Sequence, residues 1–248
     1  MQNYQLPQKI EIEIQHEITA DLLFVNSDDV FLFSVVSAMD QSICLSKKFI
    51  GVDTGTRGAL SEWVSVPEEN LFLMPEDMPF ESGALAEPFA VGAGAVRNAY
   101  VQEGDRVAII GAGVIGLAVL HMLRGHNLGK VFIVDNNAER LALAESFSAI
   151  PIDFTKTDPV IVAGNSDVSI EAVGMTAAVS TALNVLKPGG LCVWIGNSQK
   201  IIEVNMQDVV VRAKRITGTY CYNDDFSIIP YLKLSLWNKH LSDHFTFS

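Results

Sequence analysis

The chain has 248 residues, of which 49% are hydrophobic, and it carries a formal net charge of −12. This length and apolar content suffice for one large domain or two modest ones and exclude an intrinsically disordered chain. The acidic charge repels phosphate backbones and anionic lipid headgroups. We therefore expect a globular protein, and neither nucleic acid nor a membrane surface as a partner.

Cysteine usage points to a reducing compartment. The three cysteines, Cys44, Cys192 and Cys221, are odd in number and form no CxxC pair. This pattern predicts neither a disulfide framework nor a zinc ribbon. The first residues, MQNYQLPQK, lack the apolar core of a signal peptide. Together these features predict a cytoplasmic protein.

The first 80 residues have a strand-like pattern. Residues 9–14 alternate apolar and polar side chains, residues 30–36 form an apolar run, and residues 58–66 form another that ends at Pro67. Turn-rich segments separate these runs. We predict a small, incomplete β-rich domain over residues 1–80.

From residue 81 to residue 222 the pattern changes to alternating strands and helices. An alanine-rich helix is predicted over residues 80–99, interrupted by Pro88, and a short apolar piece lies at 150–154. Repeated β-α-β units predict an α/β domain, a doubly wound parallel sheet of the Rossmann type, followed by a tail over residues 223–248. The predicted strands are 107–110, 131–134, 168–173, 191–195 and 216–220, and the predicted helices are 114–126, 138–147, 176–186 and 206–214.

The most apolar stretch of the chain is VAIIGAGVIGLAVLHML, residues 107–123. As one helix these residues would be about 25 Å long, whereas a bilayer core is about 30 Å thick. Three glycines also lie in the first half of the stretch. The better interpretation is a buried strand over 107–110, a glycine turn, and a helix from residue 114.

The glycine turn has the GxGxxG pattern. Gly111 permits a tight turn, Gly113 lets the backbone approach a pyrophosphate, and Gly116 lets the helix pack closely on the strand. The amino end of the helix, at Val114 and Ile115, offers N–H groups and partial positive charge to phosphates. The sequence therefore predicts a dinucleotide site here.

An acidic residue ends the next predicted strand. Asp135 lies 24 residues after Gly111 (135 − 111), where a carboxylate accepts hydrogen bonds from the adenine ribose and repels a 2′-phosphate, so NAD is favoured over NADP. The predicted site extends to Asn136 and to Arg140, which either faces solvent or stacks on adenine. In the alternative interpretation the glycines only tighten a turn and Asp135 caps the helix that follows.

Two other ligands fit a glycine-rich turn of this kind. Flavin amine oxidases share a segment like IIGAGVIGL, although theirs lies near the start of the chain and uses glutamate where this chain has Asp135. Methyltransferases that use S-adenosylmethionine also place an acid after the second strand, but their glycine spacing differs. Both remain alternatives at the level of sequence.

Several motifs in order resemble one family. The segments GALSEWVSVP, NLFLMPEDM, ALAEPFAVGAGA and GDRVAIIGAGVIGL, followed by EAVG, LKPGGLCVWIG and RITGTYCY, are similar to the zinc-type medium-chain alcohol and polyol dehydrogenases. The similarity covers about residues 49–222. It implies a small catalytic β-barrel domain joined to a Rossmann domain, with NAD and a zinc ion that lowers the pKa of the substrate alcohol.

The resemblance also implies zinc ligands, but the set is incomplete. Glu87, in LAEPF, matches a family glutamate, and His16 and Glu17 match the family's His-Glu pair in one alignment. Cys44 aligns either with the catalytic cysteine or with the last cysteine of a structural zinc lobe. A catalytic zinc needs three protein ligands and an open position. Alternatively, His16 is a solvent-facing strand residue and Glu87 only stabilises a helix start.

The resemblance leads to two functional hypotheses. The first is an NAD-dependent oxidoreductase that interconverts a secondary alcohol of a polyol and a ketone. The turns Ala172-Val173-Gly174 and Gly196-Asn197 then lie near the nicotinamide, beyond the carboxyl ends of the strands. The second is a catalytically impaired nucleotide-binding relative that lacks a complete zinc site. The chain is shorter than the family pattern at both ends, and its apolar tail is compatible with a homodimer.

Overall fold

The computed structural model describes residues 9–13, 31–33, 63–67, 71–73, 78 and 80–222. These residues fall into two compact units that meet in sequence between Glu87 and Pro88. The first unit contains two antiparallel strand pairs, β1 with β3 and β2 with β4. The strands are β1 Lys9–Glu13, β2 Phe31–Phe33, β3 Trp63–Pro67 and β4 Leu71–Leu73. The division into domains at residue 80 stays a prediction.

The alanine-rich segment forms two helices, α1 over Phe80–Ala84 and α2 over Ala86–Ala99. The expectation that Pro88 interrupts this segment is wrong, because the break is at Leu85, whose N–H donates to the carbonyl of Ser82. Pro88 lies in the first turn of α2 instead. Proline is tolerated there because N–H groups of the first turn have no partner within the helix.

The second unit is built on a six-stranded parallel sheet in the order β10-β9-β8-β5-β6-β7. This order confirms the predicted doubly wound α/β fold, with a switch point between β5 and β8 where ligands bind in such sheets. The strands are β5 Arg106–Ile110, β6 Lys130–Asp135, β7 Ile150–Asp153, β8 Ser166–Glu171, β9 Leu186–Trp194 and β10 Arg215–Gly218.

The helices follow the strands. They are α3 Val114–Leu123, α4 Ala138–Ser146, α5 Pro159–Ala163, α6 Thr176–Asn184 and α7 Met206–Val211. One face of the sheet and the helices covering it form an apolar core that includes Ala108, Ile110, Phe132, Val134, Val179 and Leu183. The central strands are apolar on both faces because helices bury both, as expected for a parallel sheet.

The apolar stretch 107–123 divides as predicted. β5 ends at Ile110, and α3 has only ten residues. Within the described residues no helix is both long enough and apolar enough to span a bilayer. The α3 backbone is also approached closely by α2, since a Cβ on Gly92 would lie 2.9 Å from the carbonyl carbon of Ala118. Helix α3 is therefore a buried element of this fold.

Several elements differ from the sequence expectations. α5, which was not predicted, begins after Asp158, whose side chain accepts the N–H of Val160. β9 begins at Leu186 rather than residue 191, so its first residues include Pro188. β8 ends at Glu171 rather than residue 173. This last difference matters for function, because it places residues 172–174 in a turn beyond the sheet.

Candidate nucleotide-binding site

The loop between β5 and α3 depends on two glycines for its shape. Gly111 has φ +103, which residues with side chains rarely adopt, and a Cβ there would lie 2.7 Å from Cγ2 of Val173. A Cβ on Gly116 would overlap the carbonyl oxygen of Gly111. The loop is also joined to the sheet, since the Gly111 N–H donates to the carbonyl of Val134 at 2.8 Å. The strand, turn and helix therefore pack closely, as the GxGxxG pattern predicts.

Gly113 differs from these two glycines. It is the N-cap of α3, with φ −68, and a Cβ there would meet no atom of the described residues within 4 Å. No side chain caps this helix end. The first N–H groups of a helix lack intrahelical partners and carry partial positive charge. Within the described part of the chain, packing does not require a glycine here, and the space at Gly113 is compatible with a phosphate approaching the α3 amino end, near Val114 and Ile115.

Asp135 lies at the carboxyl end of β6, beside the glycine loop. Its Oδ2 accepts the N–H of Ala112 at 2.7 Å, and its Oδ1 accepts the N–H groups of Asn136 and Asn137 at 2.8 and 2.9 Å. A carboxylate has about four lone-pair sites, so roughly one is left for a ligand. The N-cap of α4 is Asn137, which accepts the N–H of Arg140. Asp135 thus anchors the loop and does not cap the helix.

The second pair of turns lies beyond β8 and β9. Gly174 has φ +80, and a Cβ on it would overlap the N–H of Asn197, while a Cβ on Gly196 would overlap the N–H of Gly174. The Ala172 N–H donates to the carbonyl of Ile110 at 2.9 Å. The predicted turns at residues 172–174 and 196–197 therefore lie against each other, and the first of them also lies against the end of β5.

Sequence reasoning did not assign a role to Glu171. It is buried, and its Oε1 accepts the N–H groups of Val173 and Gly174 at 2.9 and 2.7 Å. Burial raises the pKa of this carboxyl above its usual range, against the opposing effect of the backbone N–H groups. The signal in the sequence was an acidic residue at the end of a buried strand, the same signal that identified Asp135.

The predicted zinc ligands are not assembled by the described part of the chain. Glu87 is the second residue of α2 and is partly buried. His16, Glu17 and Cys44 lie outside the described residues. Among the described residues, no group of three His, Cys, Asp or Glu side chains is placed to hold a metal ion.

Comparisons with known proteins agree with this geometry. Residues 114–233 match the family model described as zinc-binding dehydrogenase. The chain is 34% identical over 187 residues to (R,R)-butanediol dehydrogenase of Bacillus subtilis (strain 168), covering 73% of this chain and 54% of that protein. It is 31% identical over 222 residues to L-idonate 5-dehydrogenase of Vitis vinifera, covering 84% and 60%. The chain thus spans little more than half the length of these relatives.

Solved structures give the same result. The crystal structure of 2R,3R-butanediol dehydrogenase from Bacillus subtilis superposes with a TM-score of 0.71 at 30% identity, covering 82% of this chain and 62% of that one. A zinc-binding dehydrogenase from Sinorhizobium meliloti 1021, bound to NADP, superposes with a TM-score of 0.68 at 26% identity, covering 76% and 59%. The chain therefore belongs to the zinc-type medium-chain alcohol and polyol dehydrogenase family.

Proposed function

We propose that this chain binds NAD(H) and serves hydride transfer between a secondary alcohol of a small polyol and the nicotinamide. The observation that carries the proposal is the glycine loop at the switch point of the sheet, anchored by Asp135. The names of the relatives, a butanediol dehydrogenase and an idonate dehydrogenase, support an alcohol or polyol as the substrate class.

In the proposed pose, each predicted cofactor-binding residue lies near one part of NAD. The pyrophosphate lies against Gly113 and the N–H groups of Val114 and Ile115, where there is open space and partial positive charge. The adenine ribose approaches Asp135, and the nicotinamide lies toward the turns at 172–174 and 196–197. The predicted adenine contacts of Asn136 and Arg140 belong to the same proposal.

NAD is proposed over NADP on electrostatic grounds. A 2′-phosphate beside Asp135 places two negative groups together, whereas a ribose hydroxyl can donate to the carboxylate. Because the Sinorhizobium relative is bound to NADP, this preference needs a direct measurement. Calorimetric titration with NADH and with NADPH is the test. Tighter binding of NADH supports the proposal, and equal or tighter binding of NADPH contradicts it.

When bound, NAD⁺ supplies a hydride acceptor, and the alcohol oxidation that uses it releases one proton and yields a ketone. The residues described here bind and orient the cofactor. Helix α3 and the loop hold the phosphates, and the two turns beyond β8 and β9 close the nicotinamide end. No described residue is assigned as the base that takes the alcohol proton.

A second candidate is a nucleotide-binding protein without turnover. It is favoured by the sequence, whose match to the family's zinc ligands is incomplete. Zinc content and NADH binding measured on one sample, with a polyol turnover screen, separate the two. One zinc per chain with turnover rejects the second candidate. NADH binding with neither zinc nor turnover rejects the first, and no NADH binding rejects both.

We also propose a homodimer formed through the β10 edge of the sheet. Helix α7, which precedes β10 in the chain, has no buried residue, and Met206, Val210 and Val211 on it are largely exposed. Among the described strands β10 is at the edge of the sheet, and an edge strand together with exposed apolar surface suits pairing with a second copy. Sedimentation of the wild type and of Val211→Asp tests this, since a dimer through this edge is weakened by the charge and a monomer is unaffected.

The proposal includes a cytoplasmic location. The odd cysteine count without a CxxC pair supports it. Immunoblotting of fractionated cells is the test, and recovery of the protein in the secreted or membrane fraction contradicts it.

A further inference from the structure

Glu171, the last residue of β8, binds backbone groups of both turns at the proposed nicotinamide end. Its Oε1 accepts the N–H groups of Val173 and Gly174 at 2.9 and 2.7 Å. Its backbone carbonyl accepts the N–H groups of Ile195 and Gly196 at 2.9 and 3.1 Å. One residue therefore accepts four N–H groups, two from residues 173–174 and two from residues 195–196.

The two turns pack directly against each other. The backbones at Gly174 and Gly196 are in direct contact, with no room for a Cβ on either. A shift of the first turn therefore shifts the second. The side chain of Glu171 sets the position of the first turn, because two successive N–H groups of that turn point at one carboxyl oxygen.

A packing role alone does not explain a carboxyl group at this position. Glu171 is 0% exposed, and its Oε2 is buried without a hydrogen-bond partner among the described residues. Burying a carboxyl group with one unsatisfied oxygen is unfavourable, and an apolar side chain of similar size avoids that cost. The acceptor at Oε1 is the property that an apolar residue lacks.

We propose that Glu171 is a positioning residue that holds the turns 172–174 and 196–197 in the conformation that receives the nicotinamide half of the cofactor. This inference rests on the proposed function. It acts through the backbone of Val173, Gly174 and Gly196, and it does not touch the adenosine half, which lies at Asp135 and the loop after β5. Loss of the Oε1 acceptor should therefore weaken binding of the whole dinucleotide more than binding of its adenosine half.

The experiment compares NADH with ADP-ribose, which lacks the nicotinamide, by calorimetric titration of the full chain. The variants are Glu171→Leu, which removes the acceptor, Glu171→Asp, which retracts it by one methylene, and Glu171→Gln, which retains it without charge. For Glu171→Leu and Glu171→Asp we expect NADH affinity to fall by roughly tenfold or more and ADP-ribose affinity by less than about threefold. For Glu171→Gln we expect NADH affinity within about threefold of wild type, as rescue by the conservative change.

Asp167→Asn is the matched control. Asp167 lies on the same strand, and its Oδ2 also accepts a backbone N–H, that of Arg106 at 2.8 Å, but at the opposite end of β8. Loss of the Asp167 carboxylate, which also pairs with Lys187, should lower the thermal unfolding temperature without changing the ratio of NADH to ADP-ribose affinity. A ratio altered as much by Asp167→Asn as by Glu171→Leu shows a general structural effect and overturns the inference.

The remaining outcomes are also decisive. An unchanged ratio in folded Glu171→Leu or Glu171→Asp, or an equal loss with Glu171→Gln, overturns the positioning role. If Glu171→Leu does not fold, Glu171→Asp carries the test, and its NADH to ADP-ribose ratio alone supports or overturns the inference. If wild type binds neither ligand, the proposed function fails, a result distinct from a wild type that binds NADH without dependence on Glu171.

Discussion

In two regions at the carboxyl edge of the sheet, a side-chain carboxyl group accepts backbone N–H groups of a turn, but the two carboxyl groups differ in solvent exposure. In the first, Asp135 accepts three backbone N–H groups, one from the glycine loop and two from its own turn. In the second, Glu171 accepts two N–H groups with its side chain. Asp135 is partly exposed, whereas Glu171 is fully buried. In both, a carboxyl group at a strand end fixes the turn that follows.

The difference in solvent exposure gives Asp135 and Glu171 different roles. A partly exposed carboxylate that keeps roughly one lone-pair site free can still accept a ligand hydroxyl. A fully buried carboxyl group has no access to a ligand and acts only through the backbone that it holds. The first region therefore combines support with recognition, and the second provides support alone. Stability and cofactor affinity of variants in each region test these two roles.

The largest expected effect is that of Gly116→Ala in the first region. The new Cβ overlaps the carbonyl oxygen of Gly111, so strand and helix must separate. We expect a loss of about 3 kcal/mol in the free energy of unfolding, measured by urea denaturation. Gly113→Ala is the matched control because its Cβ meets open space. It should cost about 1 kcal/mol or less in stability yet weaken NADH binding. Equal destabilisation by the two variants contradicts the packing argument.

In the second region, Gly174→Ala should destabilise the fold by about 2 kcal/mol. Its φ is +80 and its Cβ overlaps the Asn197 N–H, so both strain and overlap contribute. Gly189→Ala separates the two causes, because φ is +75 there and no atom lies within 4 Å of the Cβ. The control should cost about 1 kcal/mol, the strain alone. Urea denaturation of both variants is the measurement, and equal losses would exclude a contribution from turn contact.

Asp135→Asn should reduce NADH affinity by roughly tenfold, measured by calorimetry. The amide places a donor where the carboxylate accepts backbone N–H groups, and it removes the charge that favours a ribose hydroxyl over a phosphate. Because the charge is lost, the ratio of NADH affinity to NADPH affinity should also fall. Asp153→Asn, at the end of the neighbouring strand β7, is the control, since Asp153 accepts the N–H of Thr155 but lies outside the predicted site. A comparable loss of NADH affinity in Asp153→Asn argues against recognition of the adenine ribose by Asp135.

The smallest expected effect is a pH dependence. Burial raises the pKa of Glu171 above its ordinary value of 4.5, so above that pH the folded state retains a proton that the unfolded state loses. Stability due to Glu171 is complete below pH 4.5 and declines as pH rises toward the folded pKa. Wild type should therefore lose stability relative to Glu171→Gln as pH rises from 4.5. Denaturation of both proteins across this range is the measurement.

Asp167 gives the opposite sign and serves as the control for that titration. Burial raises its pKa, but hydrogen bonds from Lys187 and the Arg106 N–H outweigh burial and hold the pKa below 3.8. Its contribution is present above pH 3.8 and declines as pH falls. Relative to Asp167→Asn, wild type should therefore lose stability on acidification. The difference in stability between wild type and Glu171→Gln should change with pH in the opposite direction to the difference between wild type and Asp167→Asn. The same direction for both would contradict the opposite pKa shifts of the two residues.

The sheet was predictable from the sequence because its strands are continuous apolar runs between glycine-rich turns. Residues 107–110 and 131–134 lie within β5 and β6, and the α/β order follows from the alternation. Helix α5 was missed because five residues are too few to show a helical period. The early start of β9 was missed because Pro188 and two glycines indicate a turn.

The candidate site was predictable only where a motif names its residues. The GxGxxG pattern identified Gly111 and Gly116, and the structure gives each a steric reason. Glu171 has the same sequence signal as Asp135, an acidic residue at the end of a buried strand, but its role was missed because it depends on contact between Gly174 and Gly196, which are 22 residues apart (196 − 174). The zinc ligands His16 and Cys44 stay predictions, since they lie outside the described residues.

The Ala112 hydrogen bond to Asp135 has a consequence for redesigning cofactor preference. Replacing Asp135 by a small neutral residue to admit a 2′-phosphate also removes the acceptor of the Ala112 N–H and of two further N–H groups. A successful design must therefore supply a new acceptor for the loop, such as an oxygen of the incoming phosphate itself. An NADP-accepting variant built this way would have an ordered loop only while its cofactor is present.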